Sequence, residues 1–278
     1  SYVIDPLFFP GGNIGKLAIC GTANDVAVSG AIPRYLSCGF ILEEGLPMET
    51  LKAVVTSMAE TARAAGIAIV TGDTKVVQRG AADKLFINTA GMGAIPANIH
   101  WGAQTLTAGD VLLVSGTLGD HGATILNLRE QLGLDGELVS DCAVLTPLIQ
   151  TLRDIPCVKA LRDATRGGVN AVVHEFAAAC GCGIELSEAA LPVKPAVRGV
   201  CELLGLDALN FANEGKLVIA VERNAAEQLL AALHSHPLGK DAALIGEVVE
   251  RKGVRLAGLY GVKRTLDLPH AEPLPRIC

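Results

Sequence analysis

The sequence has few aromatic residues, no excess of positive charge and no long uninterrupted apolar segment, and each absence excludes a class of protein. Aromatic residues make up 4% of the 278 residues, although half of the chain is hydrophobic. The apolar mass is therefore aliphatic, which favours tightly packed α/β layers. The net charge of −6 offers no basic face for nucleic acid. The longest stretch without formal charge, residues 85–109, is broken by polar residues, glycine and proline, so we predict no membrane span.

The cysteine pattern and the lack of one nucleotide motif exclude further classes. The eight cysteines are scattered, include no C-x-x-C pair and follow no secretory signal. Neither a disulfide framework nor a structural zinc site is predicted, and reduced thiols indicate a cytoplasmic protein. No Walker A motif occurs in the sequence, which excludes a P-loop nucleotide site.

What the sequence does have is a cysteine as its last residue, at the end of a proline-spaced segment. Prolines two to four residues apart favour an extended path, so residues 266–278 could span on the order of 40 Å. A thiol on such an arm can visit more than one site, which makes Cys278 a candidate carrier of a chemical group. The alternative is an ordinary packing cysteine at a disordered end. The terminal carboxylate disfavours the thiolate and Arg276 favours it, so the reactivity of the thiol stays open.

Strands and helices alternate in both halves of the sequence, which predicts an α/β or α+β fold with two lobes. We place the lobes at residues 1–96 and 97–265, followed by a mobile tail over 266–278. A strand over 67–70 is expected to be buried and to end at a polar loop over 71–75. The other predicted strands cover residues 1–4, 35–42, 85–95, 111–114, 184–186, 216–222, 243–249 and 254–257. The predicted helices cover residues 13–29, 48–65, 121–131, 141–152, 167–179, 195–204 and 224–234.

Charged residues and glycines collect where predicted strands and helices end. They occur at Asp25, in Gly72–Lys75, at Asp120 and His121, at Asp163 and Arg166, and in Asn213–Lys216. Taken singly, each has a structural explanation such as a helix cap, a turn or a solvated lysine. Taken together they suit a magnesium nucleotide, because carboxylates bind Mg²⁺ and the amides of glycine turns bind phosphates.

The same motifs carry a resemblance to a known family along essentially the whole chain. They are Gly11–Lys16, Gly21–Ala27, Gly72–Val76, Ser115–Gly122, Arg162–Gly168, Asn213–Lys216 and the terminal Pro275–Cys278. The internal motifs resemble, loosely, those of the aminoimidazole ribonucleotide (AIR) synthetase superfamily, which includes selenophosphate synthetase and thiamine monophosphate kinase. The Pro-Arg-Ile-Cys ending is the specific signal, and with it the chain resembles the HypE family of hydrogenase maturation proteins.

The resemblance implies an ATP-dependent enzyme that acts on its own C-terminus. HypE-like proteins receive a carbamoyl group on the terminal cysteine from the partner HypF, a carbamoyltransferase, and dehydrate it to a thiocyanate. The cyano group then passes to iron in the HypC–HypD complex, for the centre of NiFe-hydrogenase. The resemblance also implies a two-lobed AIR-synthetase-like fold and a homodimer, in which the first lobes of two copies share a β-barrel near the ATP.

Expected roles for individual residues follow from this reaction. Cys278 would carry the group, Lys75 would neutralise charge near the phosphates or the carbamoyl oxygen, and Glu214 would act as a base or orienting acceptor. The expected Mg²⁺ ligands are Asp25, Asp73 and Asp163. The expected nucleotide contacts are the same three carboxylates together with Arg166 and Gly72.

Several expectations qualify this assignment. Family members usually begin with a glycine-rich segment and an Asp that help to bind the nucleotide, so the chain is expected to lack its natural start and to bind ATP poorly. Asn13 stands where relatives often carry Asp, which puts a metal role there in doubt. For His121 and His174 we favour a hydrogen-bonded structural role over that of a general base. Two alternatives stay open: another superfamily enzyme such as a selenophosphate synthetase, and a non-catalytic carrier protein.

Overall fold

The structure is a computed structural model that describes residues 1–134, 136–269 and 276–278. The first part of the chain builds a small three-stranded sheet flanked by long helices, and the second part builds a larger seven-stranded sheet. Strands and helices are mixed in both parts, which confirms the predicted α/β class. Within the described residues, no helix combines the length and the apolar character that crossing a membrane requires.

The first long helix, α1, spans Ile14–Val28 and is buried on almost every side. The side-chain oxygen of Asn13 accepts hydrogen bonds from the backbone amides of Gly15 and Lys16 at 2.9 and 3.1 Å. These bonds satisfy amides that the start of a helix leaves unpaired, so Asn13 fixes the beginning of α1 as predicted. Two short strands precede the helix, β1 (Phe8–Phe9) and β2 (Gly12–Asn13).

Small residues in α1 allow neighbouring segments to approach its backbone. A Cβ atom at Gly15 would lie 2.4 Å from the backbone oxygen of Val54, which belongs to helix α2, Met48–Ala64. A Cβ atom at Gly21 would lie 2.4 Å from the hydroxyl of Tyr2. Both glycines are therefore required by close packing. The second of these contacts brings the start of the chain against the helix that carries Asp25.

The three-stranded sheet has β3 at its centre, spanning Ile32–Glu43. Strand β4, Ala68–Val77, pairs with it in parallel, and β5, Leu85–Ala94, pairs with it in antiparallel fashion. The prediction of a short buried strand over 67–70 followed by a polar loop over 71–75 is wrong. One continuous strand covers both segments, and its residues are exposed because it forms the edge of the sheet. The apolar residues of this strand were mistaken for core.

The same small sheet carries large exposed apolar side chains on all three strands. They are Tyr35, Ile41, Ile69, Val70, Val76 and Met92. Several large apolar side chains exposed on one small sheet suggest an interaction site more than a fully solvated surface.

The second part of the chain surrounds a sheet with the strand order β12-β11-β8-β10-β6-β9-β7. Its strands are β6 (Val111–Val114), β7 (Val158–Asp163), β8 (Gly183–Ser187), β9 (Leu217–Val221), β10 (Ala243–Val249), β11 (Gly253–Ala257) and β12 (Lys263–Thr265). Its helices are α3 (Asp120–Glu130), α4 (Thr146–Leu152), α5 (Gly168–Cys180), α6 (Pro195–Leu204) and α7 (Ala226–His234). Helix α5 packs on one face of the sheet, and α4 and α7 pack on the other. Strands β6 and β9 are therefore buried throughout.

Several elements of this part have the bounds that the sequence predicted, one has a different start and one was not predicted. The strands β6 and β10 and the helix α6 have the predicted limits. The helix predicted over 141–152 begins only at Thr146, and strand β7 was not predicted. Lys159 and Arg162 interrupt the apolar pattern of β7, which lies at the edge of the sheet. This strand matters because it ends at Asp163.

The two ends of the chain differ from the strand predicted over 1–4 and the mobile tail predicted over 266–278. The strand predicted over 1–4 is reduced to one bridge between Tyr2 and Ile87. Leu266, the first residue of the predicted tail, is buried in the core of the larger sheet, and its amide donates to the backbone oxygen of Val254 at 3.0 Å. The mobility predicted for 266–278 stays a prediction, and residues 270–275 lie outside the described residues.

Candidate functional site

A cavity of about 590 Å³ lies where α1, the end of β7, the start of α5 and the C-terminus meet. Four of the residues singled out in the sequence as acidic or basic site residues line it: Asp25, Asp163, Arg166 and Glu214. The terminal Cys278 lines the same cavity. Residues that are far apart in the sequence are thus brought together in one place, as the predicted site requires.

Asp163 lies at the end of β7 with only 3% of its surface exposed. One carboxylate oxygen, Oδ2, accepts a hydrogen bond from the hydroxyl of Thr165 at 2.9 Å. The other, Oδ1, is buried and accepts no hydrogen bond from the part of the chain that the structure describes. The guanidinium of Arg162 lies 3.6 Å from it. A buried carboxylate oxygen in this situation suits a cation or a bound donor.

The start of helix α5 forms another wall of the cavity. Gly167, with φ of +73°, precedes the helix, and Gly168, with φ of +61°, is its first residue. A Cβ atom at Gly168 would lie 2.4 Å from the backbone oxygen of Leu209, so no larger residue fits there. Amides at the start of a helix bind anionic groups such as phosphates. Arg166, which also lines the cavity, adds a positive charge beside them.

Glu214 is 1% exposed and projects into the cavity from the turn before β9. Its Oε1 atom is buried without a hydrogen-bond partner within the described residues. Burial, followed by the negative charges of Asp141 and Asp163, raises the pKa of this carboxyl well above its usual range. Burial in this position therefore favours the protonated form of the Glu214 carboxyl.

Asp141, which the sequence analysis missed, holds the turn that presents Glu214. Its carboxylate accepts hydrogen bonds from the amides of Glu214 and Gly215 at 3.0 and 3.1 Å and pairs with the ammonium of Lys216 at 3.3 Å. Burial alone would raise the pKa of Asp141, but Lys216 and the amide of Glu214 outweigh it and lower the pKa. The sequence placed Asp141 at the start of a predicted helix, and nothing in that position indicated a bond to the turn before β9.

Asp25 reaches the cavity from the exposed side of α1. The guanidinium of Arg162 lies 3.9 Å from one of its oxygens, so a single arginine stands between Asp25 and Asp163. Partial enclosure, followed by the negative charge of Asp163, raises the pKa of Asp25. Two carboxylates that destabilise one another in this way favour a bound cation.

Tyr2 also lines the cavity and was not recognised in the sequence. Its hydroxyl is 3.0 Å from the hydroxyl of Thr22, on the inner side of α1. Burial raises the pKa of Tyr2, so the phenol stays neutral. It offers a hydrogen-bonding hydroxyl beside Cys278 and Glu214.

The last three residues are held by a hydrogen bond at every backbone oxygen. The guanidinium of Arg129 donates to the backbone oxygen of Arg276, His121 Nε2 lies 2.9 Å from that of Ile277, and the amide of Val3 lies 3.0 Å from that of Cys278. The side chain of Ile277 is buried in the core, at 2% exposed. The thiol of Cys278 is thereby presented to the cavity.

The remaining predicted site residues do not reach this cavity within one chain. Gly72, Asp73 and Lys75 lie on β4, where Asp73 and Lys75 form an exposed ion pair at 3.7 Å with side chains 73% exposed. Gly72 and Asp73 line a different cavity, on the small sheet. Their predicted roles stay predictions.

The two histidines are hydrogen-bonded, as predicted, but in different settings. His174 Nε2 lies 2.8 Å from the backbone oxygen of Leu266 on a partly exposed helix. His121 is fully buried, contrary to a surface position. Over the described ranges 1–134, 136–269 and 276–278, no group of three or more His, Cys, Asp or Glu side chains is arranged to hold a metal ion.

Comparison with known families matches both parts of the chain. Residues 1–95 match the N-terminal domain of the AIR synthase related proteins, and residues 107–258 match their C-terminal domain. The fold and the two matched domains define a protein of the AIR synthase related class. Carbamoyl dehydratase HypE of Escherichia coli (strain K12) is 99% identical over 278 residues, which are all of this chain and 83% of that protein. The chain belongs to the carbamoyl dehydratase HypE family.

Solved structures of similar proteins agree with this assignment. A crystal structure of the hydrogenase maturation protein HypE in complex with ATP has a TM-score of 0.96 at 46% identity, covering 100% of this chain and 85% of that one. A crystal structure of a HypE–HypF complex has a TM-score of 0.94 at 48% identity, covering 96% of this chain and 88% of that one.

Proposed function

We propose that this protein uses ATP to dehydrate a carbamoyl group on its own Cys278 to a thiocyanate, which supplies cyanide for NiFe-hydrogenase assembly. The observation that carries the proposal is that Cys278 lines one cavity together with Asp25, Asp163, Arg166 and Glu214. A relative is a carbamoyl dehydratase by name and another binds ATP, so substrate and nucleotide chemistry both have precedent in the family.

The nucleotide phosphates fit the wall formed by the start of α5. The amides that follow Gly167 and the charge of Arg166 suit phosphate oxygens. Mg²⁺ would be held by Asp25 and Asp163, because Oδ1 of Asp163 accepts no hydrogen bond within the described residues and the raised pKa of Asp25 also favours a cation there. Such an ion would neutralise charge on the phosphates.

The reaction removes an oxygen that is a poor leaving group by itself. The carbamoyl oxygen on Cys278 takes the terminal phosphoryl group of ATP, which leaves ADP and an oxygen bonded to phosphorus. The carbon–oxygen bond then breaks, inorganic phosphate departs, and the nitrogen loses both of its protons to form the C≡N bond. Phosphoryl transfer of this kind depends on positioning and charge neutralisation.

Glu214 is the candidate group for handling these protons, because it is buried and lines the same cavity as Cys278. Burial raises the pKa of its carboxyl and favours the protonated form, which can donate a hydrogen bond to the carbamoyl oxygen. It can accept a proton from nitrogen only after its own proton has left. A cation held by Asp25 and Asp163 would offset the negative charges that raise the pKa of Glu214 and would favour this second role.

A second copy of the chain would add the β4 residues to this site. The unpaired edge of the small sheet and its exposed apolar surface fit a twofold partner better than solvent. Lys75 would then neutralise charge near the phosphates or the carbamoyl oxygen, Asp73 would add a metal ligand, and Gly72 would allow close approach of the backbone.

The carbamoyl group would come from a HypF-like carbamoyltransferase, and the cyano group would go to a HypC–HypD complex. A structure of a HypE–HypF complex supports the first partner. Both transfers need the thiol outside the cavity, so Cys278 must leave the position in which its backbone oxygen accepts from the amide of Val3. A cytoplasmic location agrees with these partners and stays a prediction.

The decisive experiment is mass spectrometry of the C-terminal peptide. The protein is incubated with a HypF-type carbamoyltransferase and carbamoyl phosphate, and then with ATP and Mg²⁺. We expect Cys278 to gain one carbamoyl group and then to lose one water when ATP is added. Carbamoylation that persists with ATP would favour a carrier protein, and a mass change on a free small molecule would favour another enzyme of the superfamily.

A further inference from the structure

The docked C-terminus rests on a buried hydrogen-bond chain that the proposed reaction does not use. His121 lies in the first turn of α3 and is fully buried. Its Nε2 atom is 2.9 Å from the backbone oxygen of Ile277, and its Nδ1 atom is 2.8 Å from the hydroxyl of Ser140. The ring of Phe9 packs edge-on against the imidazole with centroids 5.3 Å apart. Both ring nitrogens and one face of the imidazole are therefore in contact with neutral groups, while the charges of Asp141 and Arg129 act on it in opposite directions.

The partners of His121 fix which ring nitrogen carries the proton. The backbone oxygen of Ile277 can only accept, so Nε2 must donate to it. Burial lowers the pKa of His121, so the ring is neutral and Nδ1 must accept. The hydroxyl of Ser140 then donates to Nδ1, while its oxygen accepts from the amide of Cys142 at 3.2 Å. A single neutral tautomer of His121 therefore gives every donor in this series of hydrogen bonds an acceptor.

We propose that His121, oriented by Ser140, is a positioning residue that docks the terminal Ile277–Cys278 unit and so places the thiol in the cavity. The backbone oxygen that it holds belongs to the residue immediately before the reactive cysteine. A bond at that point restricts the path of the thiol more directly than any contact farther up the tail. The inference rests on the proposed function for its consequence, but docking itself can be measured without ATP.

The test measures how fast Cys278 reacts with iodoacetamide, followed on the C-terminal peptide by mass spectrometry. In His121→Ala the bond to Ile277 is lost, and we expect alkylation to be faster by roughly two- to tenfold. His121→Gln keeps an amide donor near the position of Nε2 and should restore most of the protection. His121→Asn reaches only as far as Nδ1 and should not. Equal alkylation rates in all four proteins would overturn the proposal.

A matched control comes from the second histidine that binds a backbone oxygen. His174 lies 2.8 Å from the oxygen of Leu266 through Nε2, at the base of the tail rather than at its end. His174→Ala should leave alkylation of Cys278 unchanged. If it accelerates alkylation as much as His121→Ala does, docking is a general property of the packed chain and His121 has no special part.

Two further measurements keep the test decisive if His121→Ala does not fold. Nitrogen NMR of the unaltered protein should show a neutral His121 with the proton on Nε2, and a proton on Nδ1 would refute the assignment. Ser140→Ala removes the donor to Nδ1 and should accelerate alkylation in the same direction but less. The dehydration assay is then run on the same proteins. If the proposed function is wrong, none of the proteins, including the unaltered one, should dehydrate the carbamoyl group. If only the role of His121 is wrong, all of the proteins should dehydrate it at the same rate.

Discussion

The acidic residues of the cavity and those of strand β4 were predicted as one site, and the structure places them in contrasting environments. Asp163 and Glu214 are 3% and 1% exposed, and the pKa of Glu214 is strongly raised. The side chain of Asp73 is 73% exposed and pairs only loosely with Lys75. The buried carboxyls each have an oxygen that accepts no hydrogen bond within the described residues, whereas Asp73 and Lys75 are largely solvated. This contrast is the reason for proposing that a second copy of the chain completes the cavity.

The largest effect should come from the thiol itself. We expect Cys278→Ser to lose thiocyanate formation completely, because oxygen in place of sulfur leaves no thiocyanate to form. The free energy of unfolding should change by less than about 1 kcal/mol, since the residue is partly exposed. Mass spectrometry and thermal unfolding check both points. Cys182→Ser, a partly buried cysteine away from the cavity, serves as the control and should keep full activity.

Glu214→Gln should reduce the rate of dehydration by about 100-fold or more, because it removes a proton donor and acceptor from the reacting group while keeping its shape. The rate is measured in a single turnover of the carbamoylated protein with ATP. Carbamoylation of Cys278 should be unaffected, since that step takes place outside the cavity. A variant with a normal dehydration rate would remove Glu214 from the chemistry.

The same substitution should alter the pH dependence of stability. Burial raises the pKa of Glu214 in the folded chain above its unfolded value of about 4.3. Its protonation therefore stabilises the fold fully below that unfolded value, and this contribution is lost as pH rises towards the folded pKa. Gln does not titrate, so Glu214→Gln should gain stability relative to the unaltered protein as pH rises above the unfolded value of about 4.3. Thermal unfolding midpoints measured across this range should diverge, and a constant difference would contradict the raised pKa.

Mixed dimers test whether β4 acts across copies. Lys75→Ala and Cys278→Ser should each be strongly impaired alone. When the two variants are mixed in equal amounts and allowed to exchange subunits, half of the dimers contain one copy of each. Each such dimer has one intact site out of two, so activity should return to about a quarter of that of the unaltered protein. No recovery, with exchange verified by native mass spectrometry, would mean that Lys75 serves the cavity of its own chain or none.

The smallest effect should be on the stability of the exposed strand. Asp73→Asn removes an ion pair in solvent, so the free energy of unfolding should change by less than about 0.5 kcal/mol. Asp141→Asn is the matched change in the cavity wall. It leaves the buried ammonium of Lys216 without its partner and should cost about 3 kcal/mol or more. Both variants replace an Asp with an Asn, so chemical denaturation compares the loss of stability at the exposed and the buried position directly.

Local signals in the sequence predicted much of this structure. Asn13 caps α1, the strands β6 and β10 have the predicted bounds, and the motif around Glu214 lies in the cavity. These features depend on neighbouring residues or on short apolar runs. The terminal cysteine was identified because a reactive residue at the end of a tail is unusual by itself.

The features that were missed depend on contacts between distant segments. The apolar residues of β4 suggested a buried strand, whereas they are exposed on the small sheet. Asp141 holds a turn more than seventy residues away, through bonds to Glu214 and Gly215. His121 binds an oxygen 156 residues away, and no local pattern distinguishes it from an ordinary helical histidine. Pairings of this kind become visible only when the fold is known.

The most direct test of the central claim is a crystal structure of the carbamoylated protein with a non-hydrolysable ATP analogue and Mg²⁺. We predict that the carbamoyl group on Cys278 lies in the cavity between Tyr2 and Glu214, with its oxygen directed at the terminal phosphate. A carbamoylated tail that lies outside the cavity while the nucleotide is bound, or a nucleotide bound away from Asp25 and Asp163, would contradict it.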